Sequence, residues 1–147
     1  MSSAQRSDVE ASEPRLRVLV YSDDRSVRDQ VAMALGTRPD PDLPAIEIVE
    51  VATAPHVMRA LDAGGVDLAI LDGEAAPAGG MGVCRQLKDE IFHAPPVLVI
   101  IARPQDGWLA TWSRADAVVA RPLDPVALAT ATAGLLAQRV GTQRPVD

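Results

Sequence analysis

Apolar positions along this chain fall into two regimes. A continuous apolar run rich in β-branched residues, LRVLVY at 16–21, reads as a strand buried on both faces, and DLAIL at 67–71 and PVLVIIA at 96–102 read as further strands. Between them the spacing turns helical. Val27, Val31, Ala34 and Leu35 form one apolar stripe on a helix over 24–35, with Ser22, Asp23 and Asp24 as turn and N-cap residues and Gly36 as its stop. Further along, the pattern predicts a strand over 46–52, a helix over 55–63 stopped by Gly64-Gly65, and a long loop over 73–82. It then predicts helices over 83–92 and 105–115, a strand over 117–120 and a last helix over 125–140 with Pro125 in its first turn.

Five strand-then-helix repeats joined by short connections imply a parallel sheet covered on both faces. The simplest arrangement is a doubly wound α/β sheet of five strands in the order 2-1-3-4-5. The polar segment 1–14 reads as a flexible N-terminal tail, 15–140 as one domain and 141–147 as a C-terminal tail.

Composition narrows the partners. The chain has 147 residues and a net charge of −6, with no Lys/Arg cluster, so nucleic acid is not expected as a partner. Lys88 is the only lysine and the remaining basic residues are arginine. A lone cysteine, Cys84, excludes an internal disulfide and reads as a small buried hydrophobe in a reducing, cytoplasmic setting. No apolar run reaches the length of a bilayer span, so membrane association is expected only through a protein complex. His56 and His93 lack mutual ligand spacing and read as surface residues, and Met33, Met58 and Met81 as packing residues.

In a sheet of this order, ligands bind where strand order reverses, at the C-terminal ends of the first and third strands. Asp23 and Asp24 follow the first strand and Asp72 ends the third, so three carboxylates are expected to converge there. Crowded carboxylates raise one another's pKa unless a cation offsets the charge, and hard oxygen ligands suit Mg²⁺. Helix capping is the competing role for Asp24.

Here the chain resembles the response-regulator receiver family, whose fold is flavodoxin-like or CheY-like. VLVYSDD matches the acidic pair, LAILDGE the phospho-acceptor, PPVLVIIA the fourth strand and DAVVARPLDP the fifth-strand signature. The resemblance covers about residues 15–140. It implies Mg²⁺ held by Asp23, Asp24, Asp72 and the backbone carbonyl of Glu74, and phosphate accepted at Asp72.

Four features depart from that family. The hydroxyl expected at the end of strand four is replaced by Ile101 or Ala102, the lysine before proline by Arg121, and the fifth-strand aromatic by Val118. The loop 73–82 also runs about two residues long. Arginine is larger and planar, so Arg121 implies either impaired switching or a structural ion pair with Asp72.

With no segment read as an output domain, action through a protein partner is expected. Trp108 and Trp112, spaced i and i+4, suggest core packing of at least one, with an interface role beside it. Pro39, Pro41 and Pro44 stiffen the loop 37–44, which reads as a neutral insertion or a preorganised contact. A narrower resemblance, to an actinobacterial orphan regulator-like group associated with respiratory complex I (NADH-quinone oxidoreductase), implies an accessory subunit on its cytoplasmic side. Three expectations follow: a non-enzymatic interaction module docked on complex I; a single-domain regulator phosphorylated at Asp72 by a histidine kinase; and a Mg²⁺-dependent phosphatase, for which no second acid/base residue can be placed.

Overall fold

The computed structural model describes residues 15–143. Five strands, β1 (Leu16–Tyr21), β2 (Ile46–Val51), β3 (Leu68–Asp72), β4 (Val97–Ile101) and β5 (Ala117–Ala120), form one parallel sheet in the order β2-β1-β3-β4-β5. The expected α/β doubly wound topology is the one observed. Every residue of β3 and β4 is buried, the apolar ones packed on both faces of the sheet and Asp72 at the end of β3. The edge strands β2 and β5 carry exposed positions.

The helices are α1 (Arg25–Leu35), α2 (Ala54–Asp62), α3 (Gly80–Glu90), α4 (Gly107–Trp112) and α5 (Pro125–Gln143). Asp24 caps α1 by accepting from the Ser26 N–H, and Gly36 ends it at φ +59°. Thr53 caps α2 by accepting from the His56 N–H.

Three helices differ from expectation by two residues or more at an end. α3 starts at Gly80 rather than at 83, so the preceding loop is shorter than its glycines suggested. α4 is entered through a 3₁₀ turn, Pro104–Asp106, and stops at Trp112, two residues before Arg114 takes a left-handed φ of 65°. α5 runs through Gln143, so helix covers the first residues of the expected C-terminal tail. The N-terminal tail lies outside the described residues.

Side-chain alternation sends the strands' apolar residues to two separate cores. Val18, Val20, Leu68, Ile70, Leu98 and Ile100 pack under α1 and α5. Leu19, Tyr21, Ala69, Leu71, Val99 and Ile101 pack on the opposite face, with Val57 and Leu61 of α2 and Val83, Cys84 and Leu87 of α3. Cys84 is fully buried, as expected, and burial pushes its thiol pKa up. Met58 and Met81 pack against this second core, whereas Met33 is exposed, contrary to expectation, on the outer side of α1. His56 and His93 are exposed.

The loop 37–44 is pinned as well as stiff. Leu43 is buried under it, Arg38 Nη1 donates to the Leu43 carbonyl at 2.7 Å, and the Ile46 N–H donates to the Thr37 carbonyl at 2.8 Å. Pro41 is exposed and Pro39 and Pro44 are half-buried.

Candidate functional site

The parallel order brings the C-terminal ends of β1, β3, β4 and the segment after β5 to one rim. Asp72, the last residue of β3, is the buried acid at its centre, 2% exposed. A buried carboxylate needs its lone pairs satisfied and its charge matched. Its Oδ1 accepts from the Glu74 N–H at 2.9 Å and from Arg121 Nη2 at 2.7 Å, and its Oδ2 accepts from the Ser22 hydroxyl at 2.7 Å. Arg121 therefore sits where the fifth-strand signature placed it, ion-paired with Asp72. Its Nε is buried without a partner, so the guanidinium reaches the carboxylate with one nitrogen and not as a fork.

Ser22 was not singled out from the sequence, although it directly precedes the acidic pair. Its hydroxyl accepts from the Asp24 N–H at 3.0 Å while donating to Asp72. Its carbonyl accepts from Arg28 Nη1 at 2.6 Å, and Arg28 in turn pairs with Glu50. The β1 end thus presents a neutral hydroxyl to Asp72.

The two expected partners of Asp72 are engaged elsewhere. Asp23 Oδ1 accepts from the Ala76 N–H at 3.1 Å, tying the β3–α3 loop to β1. Asp24 Oδ1 accepts from both the backbone and the hydroxyl of Ser26. Those bonds chiefly hold its carboxyl below the usual range, with a smaller contribution from the positive charge of Arg121. Capping, the competing role for Asp24, is the one the structure displays. Asp23 and Asp72 both lie close enough to Tyr21 to raise its pKa, and Asp24 lies within reach of the Arg121 charge, yet among the described residues no group of three His, Cys, Asp or Glu side chains is arranged to hold a metal ion.

Tyr21, buried in the second core, lies near the charges of Asp23 and Asp72. Its hydroxyl donates to the Ala78 carbonyl at 2.6 Å, and its pKa is raised by burial first and then by Asp23 and Asp72. The loop above needs glycine: a Cβ on Gly80 would stand 2.6 Å from the Asp72 carbonyl oxygen, and one on Gly73 2.6 Å from that of Ile100. α3 can therefore begin directly against the end of β3.

At the β4 end, Ile101 is buried in the second core and Ala102 is half-buried, and neither offers a hydroxyl. Val118 of β5 is partly exposed and supplies no ring. Trp108 and Trp112 are exposed by 69% and 49%, which corrects the expectation that one of them packs in the core: α4 turns both outward. Arg85 lies over the Trp112 ring, 4.7 Å from its centroid, and donates to the Trp112 carbonyl at 2.8 Å.

No family model matches the chain. Two curated relatives, from two strains of Mycobacterium tuberculosis and each called an uncharacterized response regulatory protein, are 56% identical over 125 residues, spanning 85% of this chain and 94% of the relative. The chain belongs to the response-regulator receiver family. Solved receivers share its fold at low identity. The signal receiver domain of a Syntrophus aciditrophicus histidine kinase aligns at 22% identity with a TM-score of 0.70, over 89% of this chain and 95% of that one. A CheY-like receiver from Methanospirillum hungatei aligns at 18% with a TM-score of 0.69, over 88% and 99%.

The Mg²⁺ that the family implies meets a donor set that does not fit as arranged. One acid caps a helix, one ties a loop, the nearest β1 group is a hydroxyl, and Asp72 already has a cationic partner in Arg121. Glu74 stands beside the crevice, its N–H donating to Asp72 Oδ1. No helix among the described residues is long and apolar enough to cross a membrane.

Proposed function

We propose that this receiver acts by docking on a protein partner, in a conformation set by the fold and not by phosphoryl transfer. The single observation behind this is the engagement of Asp72: three protein donors hold its two oxygens, one of them the cation Arg121. A state change needs a contact that differs between two states, and the residues that usually make it are here Ile101 or Ala102, and Val118. Trp108 and Trp112 are the best-placed contact residues, because exposed tryptophan is frequent at interface hot spots. Complex I as the partner rests on the narrower sequence resemblance alone.

The test is affinity purification from native membranes in gentle detergent, with the intact chain and with Asp72→Asn. Docking without phosphate predicts equal recovery of complex I subunits by both. Loss of the partner with Asp72→Asn, in a variant that still folds, would defeat this reading.

A second reading has its own support. Asp72 occupies the phospho-acceptor position at the end of β3, and the relatives carry the response-regulatory name. On that reading a histidine kinase phosphorylates Asp72 in a two-component system. Incubation with Mg²⁺ and acetyl phosphate would then give a phosphate-sized mass increase that Asp72→Asn abolishes; the docking reading predicts no such adduct.

A further inference from the structure

We propose that Arg121 is the resident cation of this crevice, that the crevice takes up no divalent metal, and that Arg121 and Ser22 each stand in the way of one. Mg²⁺ demands an octahedron of oxygens and is usually held by one or two carboxylates with several waters. The carboxylates must therefore be free to turn toward one point. Here Asp72 Oδ1 is shared between the Arg121 guanidinium and the Glu74 N–H, and Oδ2 takes the Ser22 hydroxyl. A metal would have to displace a cation already in contact, or sit beside it and meet like-charge repulsion in a partly desolvated cleft.

Ser22 matters because of where it stands. It is the β1-end residue in hydrogen-bond contact with Asp72, so a carboxylate at that site would face Asp72 directly. Two facing carboxylates repel and create the demand for a doubly charged ion. A hydroxyl creates no such demand and instead donates a bond that stabilises the Asp72 anion. The remaining acids do not replace it: Asp24 is drawn off by Ser26 and Asp23 by the Ala76 N–H. The single arginine then balances the single buried acid.

This proposal concerns the crevice and is separable from docking: it stands or falls whether or not a partner is recovered. The experiment is Mn²⁺ binding to the full chain, followed by the electron paramagnetic resonance of free Mn²⁺, with Mg²⁺ as competitor. Wild type is expected to show no saturable binding into the millimolar range. Ser22→Asp is expected to bind one equivalent about tenfold tighter or better, a gain that Asp72→Asn added to it removes. Circular dichroism checks the fold of each variant; should Ser22→Asp not fold, Arg121→Ala, which vacates the cation's place, is expected to gain the same binding. Wild-type binding of one equivalent below millimolar, lost in Asp72→Asn, would overturn the proposal, as would folded Ser22→Asp or Arg121→Ala variants that gain nothing. Wild-type binding that persists in Asp72→Asn lies elsewhere on the chain and leaves the proposal standing.

Discussion

Ser22 and Asp72 meet across the ends of adjacent strands, the serine hydroxyl donating to the aspartate Oδ2 at 2.7 Å with both residues buried. Ser22→Ala leaves one oxygen of a buried carboxylate without its donor. A loss of about 1–3 kcal/mol in unfolding free energy is expected by urea denaturation. A change of a few tenths would mean that Asp72 finds another donor at no cost.

Arg121 supplies the charge for the same carboxylate. Removing one partner of a fully buried pair costs about 3–5 kcal/mol, but the Arg121 side chain is 32% exposed, so about 1–3 kcal/mol is expected for Arg121→Ala. Arg121→Lys keeps the charge and should lose less. Asp72→Asn should also cost less than Arg121→Ala, because the freed guanidinium has access to water and a freed Asp72 does not. Equal losses for all three variants would contradict this order.

Tyr21 is the only tyrosine, so its phenol can be titrated by absorbance without interference. Burial, then Asp23 and Asp72, raise its pKa above the ordinary 10.0. A group whose folded pKa lies above its unfolded value stabilises the fold below the unfolded pKa, and that contribution is lost as pH rises through the folded one. The phenol should therefore ionise above pH 10 in the native protein, with stability falling in the same window. Ionisation at its ordinary value would contradict the burial and hydrogen bond described for it.

Trp108 stands out from α4 with little to hold it. Trp108→Ala should change stability by no more than about 0.5 kcal/mol. If α4 is the docking face, the same change should weaken the partner complex by about 2 kcal/mol or more. Partner affinity left intact would move the contact elsewhere on the surface. In the free protein, acrylamide should quench both tryptophans readily.

The sheet was legible because β1, β3 and β4 are buried on both faces, and only a continuous apolar run satisfies that environment. The crevice was legible in position and in the Arg121–Asp72 pair, but not in the rest of its bonding. Charge drew attention to Asp23 and Asp24, while the hydroxyl of Ser22, which carries no such signal, makes the contact with Asp72. Gly79-Gly80 looked like loop, yet Gly80 opens α3 because no Cβ fits against the Asp72 carbonyl. The tryptophan pair had the spacing of a helix face, and spacing alone does not say whether that face turns inward. α4 is short, and both rings point outward.

The two cores on either side of the sheet have a wider consequence. Along β3, Leu68 and Ile70 serve one layer while Ala69 and Leu71 serve the other, and the strand backbone stands between them like a party wall. Repacking beneath α1 and α5 should therefore add independently to repacking beneath α2 and α3. Each half of the molecule can drift in sequence without renegotiating with its neighbour, and only the rim where the strands end answers to both.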